Sequence, residues 1–298
     1  EWPGLNKHAS KNAYLDSQTT VTAGGANMDN MRLYVPLQFW FCRNPGLALP
    51  LIALQYHEVK VKLTTRDINA LVNASVGATA VGNAVPTVEL WADYIYLDTD
   101  ERRRFAQVSH EYLIEQLQRE TGTAPTNQKL NFNHPVKELI WTIQASSAAV
   151  EKTTTGADID ATLNVDGTVA TEGNDYFCYA SNNSNAEVIN GKSANEGFAT
   201  LKLQLNGHDR FAARNASYFR TCQPLQAGHK VPTKHVYCYS FALKPEEHQP
   251  SGTCNFSRID NAKMVFTGTT TATTLTVWAV NYNVLRIMSG MGGLAYSN

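Results

Sequence analysis

Glu58-Val59-Lys60-Val61-Lys62-Leu63-Thr64 alternates polar and apolar residues one by one. A period of two is the signature of a β-strand with one buried face, so the stretch predicts a strand with Val59, Val61 and Leu63 turned to a core. Leu201-Lys202-Leu203-Gln204-Leu205 repeats the pattern, and Leu139, Trp141 and Ile143 share a third face of this kind. Leu33 to Phe41 and Val236 to Leu243 are instead apolar on both faces, which predicts central strands covered on both sides. Pro and Gly punctuate the intervals, as in Asn44-Pro45-Gly46, Pro86, Pro245 and Pro250-Ser251-Gly252. The expected fold class is all-β.

Helical signal is sparse. Asp98 or Thr99 is placed to cap a short helix through Asp100-Glu101-Arg102-Arg103-Arg104-Phe105. Glu111–Gln118 fits helix and strand equally well by pattern. Residues 146–198 are rich in Thr, Gly, Asn, Ser and Ala and predict long surface loops with one or two short strands. Residues 15–30 and 66–87 predict smaller loops of the same kind.

The alternating segments occur in two sets. Leu90-Trp91-Ala92-Asp93-Tyr94-Ile95-Tyr96-Leu97 parallels Val277-Trp278-Ala279-Val280-Asn281-Tyr282-Asn283-Val284-Leu285. His57–Leu63 parallels Asp260–Phe266, and Leu33–Leu37 parallels His235–Tyr239. Three matches in one order predict two copies of one β-domain. The domains are expected at 1–107 and 108–298. The second copy begins near Glu111, so the first is expected to have begun roughly 80–90 residues before Glu1 and to lack its opening strands here. A first residue that is not Met agrees with that expectation.

Composition narrows the function. Of 298 residues, 43% are hydrophobic, enough for a buried core, and only 17% are charged, against about 25% in an average soluble domain. Low charge suits a chain whose sides are covered by neighbours, because charges are depleted from interface cores. A net charge of −1 offers no general attraction to nucleic acid. No apolar run approaches the roughly 18 residues of a membrane-spanning helix. The five cysteines (Cys42, Cys178, Cys222, Cys238, Cys254) form neither a C-x-x-C pair nor a disulfide framework, and reduced thiols are expected.

Motifs for chemistry are missing. Eight histidines include no H-x-H or H-E-x-x-H pair, so the ligand spacing of cupins and zinc proteases is absent. His57-Glu58 and His110-Glu111 are sequence neighbours and project to opposite faces of a strand. Ser109-His110-Glu111 has the letters of a triad, but a triad is assembled in space and not from neighbours. Arg102-Arg103-Arg104 is balanced by Asp98, Asp100 and Glu101 within helical reach. Gly290-Met291-Gly292-Gly293 has no following helix to hold a phosphate and reads as a flexible tail. No catalytic, cofactor-binding or metal residue is assigned, no cofactor is expected, and the chain is expected not to be an enzyme. Four N-x-[ST] sequons occur, at Asn73, Asn182, Asn215 and Asn255. Asn182, in the long polar loop, is the candidate for glycosylation.

Several longer stretches carry a family resemblance. They are Phe211-Ala212-Ala213-Arg214, Tyr239-Ser240-Phe241-Ala242-Leu243-Lys244-Pro245 and Gln249-Pro250-Ser251-Gly252-Thr253-Cys254-Asn255-Phe256-Ser257-Arg258-Ile259-Asp260-Asn261-Ala262. To these add Asn281–Tyr296, Pro45–Val59, Phe105-Ala106-Gln107 and His110–Leu117. Together they resemble the major capsid proteins of phycodnavirus-type large DNA viruses from Arg32 onward, thinning only in the three loop regions. The resemblance implies tandem eight-stranded jelly-roll sandwiches, the first incomplete here. It implies a homotrimer as capsomer, pseudo-hexagonal in outline, tiling an icosahedral shell over an inner membrane. Neighbouring capsomers and minor capsid proteins are the implied partners, with no small-molecule substrate and no direct nucleic acid. The implied location is the virion, after synthesis in the host cytoplasm. The competing reading is a β-sandwich carbohydrate-binding or attachment protein. That reading needs aromatics on a loop rim, whereas Trp40, Trp91, Trp141 and Trp278 all fall in strand-like patterns.

Overall fold

The computed structural model describes residues 34–65, 87–123, 125–145, 196–232, 234–269 and 273–296. Two antiparallel sheets face each other. The first has the order β1 (His110–Thr123), β10 (Thr273–Met288), β3 (Pro135–Ala145), β7 (Val236–Ser240), with β8 (Cys254–Asn255) on β3 and β11 (Met291–Leu294) on β10. The second has the order β2 (Asn127–Leu130), β9 (Ala262–Thr267), β4 (Thr200–Leu205), β5 (His208–Asp209), with β6 (Arg214–Asn215) also on β4. The main strands change sheet as the chain advances: β1, β3, β7 and β10 lie in one, β2, β4 and β9 in the other. This crossing pattern is a jelly roll.

Alternation builds the core. Leu139, Trp141 and Ile143 of β3, Leu275, Val277 and Ala279 of β10, and Tyr237 of β7 point inward from the first sheet. Leu201 and Leu203 of β4 and Ala262, Met264 and Phe266 of β9 meet them from the second. Each large side chain buried this way contributes about 1.5–3 kcal/mol. Aromatic rings fill the middle, with Trp141 stacked on Tyr237 at 6.0 Å and tilted against Phe219 at 5.4 Å.

The ambiguous stretch Glu111–Gln118 is strand. β1 pairs with β10 without interruption from His110↔Ile287 to Thr123↔Thr274, and an unbroken partner decides what pattern alone could not. The expected helix runs Thr99–Gln107 with Asp98 at its N-cap position, although the Asp98 side chain makes no capping bond. Gly290 and its neighbours are no loose tail. Ser289 and Gly290 both have positive φ (52° and 83°) and turn β10 back into β11 through Met288↔Met291, the backbone handedness a two-residue hairpin loop requires.

The region before the helix departs from expectation. Leu33–Phe41 was expected to be a buried central strand, yet Tyr34, Val35, Leu37 and Phe39 are exposed and Trp40–Arg43 is a single helical turn. Val59, Val61 and Leu63 are exposed, and so are Leu90, Tyr94 and Ile95; Trp91 is 84% and Tyr96 93% accessible. No strand is formed over 58–64 or 90–97. The physical reason is pairing. Alternation gives a segment two faces, but a strand needs a neighbour's N–H and C=O groups, and no paired strand lies beside either segment among the described residues. Of the two repeat sets, therefore, only the second forms strands, as β7, β9 and β10. Residues 15–30 and nearly all of 66–87 and 146–198 lie outside the described residues.

Candidate assembly surface and its ionic clasps

Three carboxylates hold irregular segments to the first sheet. Glu115 of β1 accepts from Lys137 Nζ at 2.5 Å and from Arg43 NH1 at 2.7 Å. The β10–β3 register skips Lys137 at a bulge opposite Val280 and Asn281, and a bulge re-aims the extra residue. Lys137, only 3% exposed, also donates to Pro245 O at 2.7 Å and lies 5.4 Å from the Tyr282 ring centroid. Arg43 belongs to the segment before the helix, so Glu115 ties that segment to the sandwich. Nearby, Trp40 packs on Tyr112 at 5.8 Å and Tyr56 N donates to Gly290 O at 3.0 Å.

Glu196 is the second. Its Oε1 accepts from Arg220 Nε and NH2 at 3.0 and 2.9 Å, and its Oε2 accepts from Tyr237 OH at 2.7 Å. Arg220 is buried, and a buried guanidinium must be matched by charge and hydrogen bonds together. Burial foremost, then the Glu196 charge, pushes the Tyr237 phenol well above its ordinary range. His235 is held below the usual histidine range, first by burial.

Glu138 is the third. Its Oε1 meets His229 Nε2 at 2.7 Å, while His229 Nδ1 meets Glu246 Oε1 at 2.5 Å. Hydrogen bonding to Glu138 is the main cause that pushes the His229 pKa up to about 9, against the opposing effect of burial. Polar side chains also substitute for a ladder beside β1. Gln118 exchanges two bonds with the Asn133 backbone, and Glu120 accepts from Asn131 N and Nδ2.

The residues singled out from sequence do not converge. Ser109-His110-Glu111 makes no triad: His110 Nε2 bonds Phe105 O at 2.8 Å and Glu111 pairs with Arg286 at 2.8 Å. Arg102, Arg103 and Arg104 are exposed on their helix. Asn182 and Asn73 lie outside the described residues. Asn215 is exposed in β6, and exposed Asn255 accepts from Ser257 N through Oδ1 at 3.1 Å. Trp40 sits in a helical turn and not in a strand. The clasp residues went unmarked in the sequence. A signal was present, since Lys137-Glu138 interrupts an otherwise apolar strand and a charge there must be paired.

Among the described residues, large exposed apolar side chains concentrate in 34–65 and 87–96, the kind of surface that a partner covers. A shallow depression of about 320 Å³ is lined by Glu196, Phe198, Asn215 and Ser217 among others. Both Glu196 oxygens in it are already engaged.

The sequence pattern of the large eukaryotic DNA virus major capsid protein family matches residues 101–293, and that of the major capsid protein N-terminus matches residues 4–98. The chain belongs to this capsid protein family. It is 48% identical to the major capsid protein of Pyramimonas orientalis virus, over 96% of this chain and 66% of that protein. It is 47% identical to the major capsid protein of Paramecium bursaria Chlorella virus 1, over 90% of this chain and 67% of that protein. The chain thus spans about two thirds of the length of these curated relatives. Among solved structures it superposes on the PBCV-1 virus capsid protein with a TM-score of 0.67 at 39% identity, covering 97% of this chain and 76% of that one. That protein is a double jelly roll, and the chain shares its mostly-β architecture. The family is structural and not enzymatic.

Proposed function

We propose that the protein builds the icosahedral shell of a large DNA virus, as one of three chains in a capsomer of pseudo-hexagonal outline. The observation that carries this reading is the jelly-roll strand order β1-β10-β3-β7 over β2-β9-β4-β5, in a chain nearly half identical to viral major capsid proteins. Such a sandwich offers broad sides for contact with neighbouring chains. Two similar domains per chain let a three-fold assembly present six similar edges. The domains are 1–107 and 108–298, with Thr99–Gln107 as the connector. Neighbouring capsomers, minor capsid proteins and the inner-membrane side of the shell are the partners, and the virion, assembled in the host cytoplasm, is the location. Asn182, in an N-x-[ST] sequon, carries a glycan.

Sedimentation of the full-length protein tests the reading. A particle of three chains is expected. A monomer that binds sugars at millimolar or better affinity would overturn it in favour of a carbohydrate-binding sandwich.

A further inference from the structure

Among the described residues β7 is the edge strand of the first sheet, and residues 216–229 pass from one of its faces to the other. On the inner face, Phe219 is fully buried against Trp141, and Arg220 pairs with Glu196 beside Tyr237. A π-helical turn, Tyr218–Cys222, then runs into Gln223–Gln226. Gly228, with φ of 83°, stops it. His229 N donates to Pro224 O at 2.9 Å and Gly228 N to Leu225 O at 3.2 Å, the paired bonds of a glycine-terminated helix end. That stop delivers His229 to Glu138. The register Ile140↔Cys238 and Trp141↔Tyr237 puts Glu138, Ile140 and Cys238 on the face opposite the core. The segment therefore begins inside the sandwich and ends outside it, around β7.

We propose that residues 216–229 are a strap guarding the β7 edge, latched on the outer face by a His229 imidazolium, and that the strap releases when this imidazolium loses its proton. An unguarded edge strand is a template for pairing with another chain, so the latch controls access to that edge. The chemistry is a matter of donors. An imidazolium has two N–H groups and serves both Glu138 and Glu246; a neutral ring has one, and its other nitrogen then faces a carboxylate lone pair. Glu138, from β3, is buried; Glu246, from the loop 244–247, is exposed. Cys238 of β7 also reaches Glu138, and burial followed by the Glu138 charge keeps its thiol protonated. In the same loop Lys244 pairs with Glu247 at 2.9 Å, and Lys230 follows His229 in the chain. Lys137 holds Pro245 independently, so release frees the strap and not the loop. His229 is held charged up to about pH 9. A histidine pKa raised on folding gives a contribution fully present below the unfolded value, about 6.5, and lost as pH rises through the folded one. The strap is locked at neutral pH and opens on the alkaline side.

Hydrogen–deuterium exchange of the full-length protein between pH 7 and 10, corrected for intrinsic rate, tests this. The expected result is a loss of protection in peptides over 218–232 as pH passes about 9, with β3 peptides over 136–143 unchanged. Glu246→Gln should shift that midpoint to lower pH, and His229→Gln should leave the strap unprotected with no midpoint at all. A wild-type strap that stays protected to pH 10, or a midpoint that persists in His229→Gln, overturns the proposal. Should His229→Gln not fold, an unmoved midpoint in Glu246→Gln does so.

Discussion

Glu115 shows how one carboxylate can have two partners of unequal worth. Lys137 is buried and depends on it, while the Arg43 side chain is 46% exposed. Glu115→Gln strands a buried ammonium and should destabilise the fold by about 3–5 kcal/mol. Arg43→Ala should cost only about 0–1 kcal/mol. Because a well-packed apolar replacement removes both charges together, Glu115→Gln with Lys137→Met should recover most of the loss. Denaturant midpoints of the four proteins check the cycle; equal costs for Arg43→Ala and Glu115→Gln would contradict it. His235 makes a prediction of opposite sign to that of His229. Burial holds it neutral in the folded state, so below the unfolded value of about 6.5 the unfolded chain takes up the proton first and stability falls. The wild type should lose ground to His235→Asn between pH 7.5 and 5.5, read as the difference in their melting temperatures.

At the scale of elements, the β10–β11 turn gives the sharpest case. Gly290 has positive φ, and a Cβ there would lie 2.5 Å from Tyr56 Cδ2. Gly290→Val should cost about 1–3 kcal/mol from backbone strain alone, with the ring clash added, and thermal unfolding would register it. How far the elements could be read in advance depended on their partners. Thr200–Leu205 and Pro135–Ala145 followed their alternation because each lies between paired neighbours. Glu58–Thr64 has the cleaner pattern, yet it forms no strand, because a pattern supplies a face and not the adjoining ladder. The turn at Ser289-Gly290 was misjudged because Gly-rich composition fits a tail and a hairpin equally. The clasps were illegible for a further reason: Glu115, Glu138 and Glu196 meet partners far away in sequence, at Lys137, His229 and Arg220, and only the fold brings them together. What periodicity could not supply, the extended motifs at Gln249–Ala262 and Asn281–Tyr296 did. Asn283 explains part of why that last stretch is so specific: buried, it bonds Gln116 Oε1 and Tyr296 O and so fixes both the β1 edge and the return of the chain.

For the molecule as a whole, the sandwich from His110 onward has a buried core, while many large apolar side chains of residues 34–65 and 87–96 face outward. The boundary between the two family patterns, at 98 and 101, falls at the start of the helix Thr99–Gln107. Arg43, Trp40 and Tyr56 then fasten the earlier region against β1 and the β10–β11 turn. A cryo-electron microscopy map of the assembled full-length protein tests the shell-building reading most directly. The account predicts three chains and six jelly rolls per capsomer, with Trp278 in the β10 strand of the sandwich from His110 onward. A capsomer with one sandwich per chain, or a helix over Trp278, would contradict it.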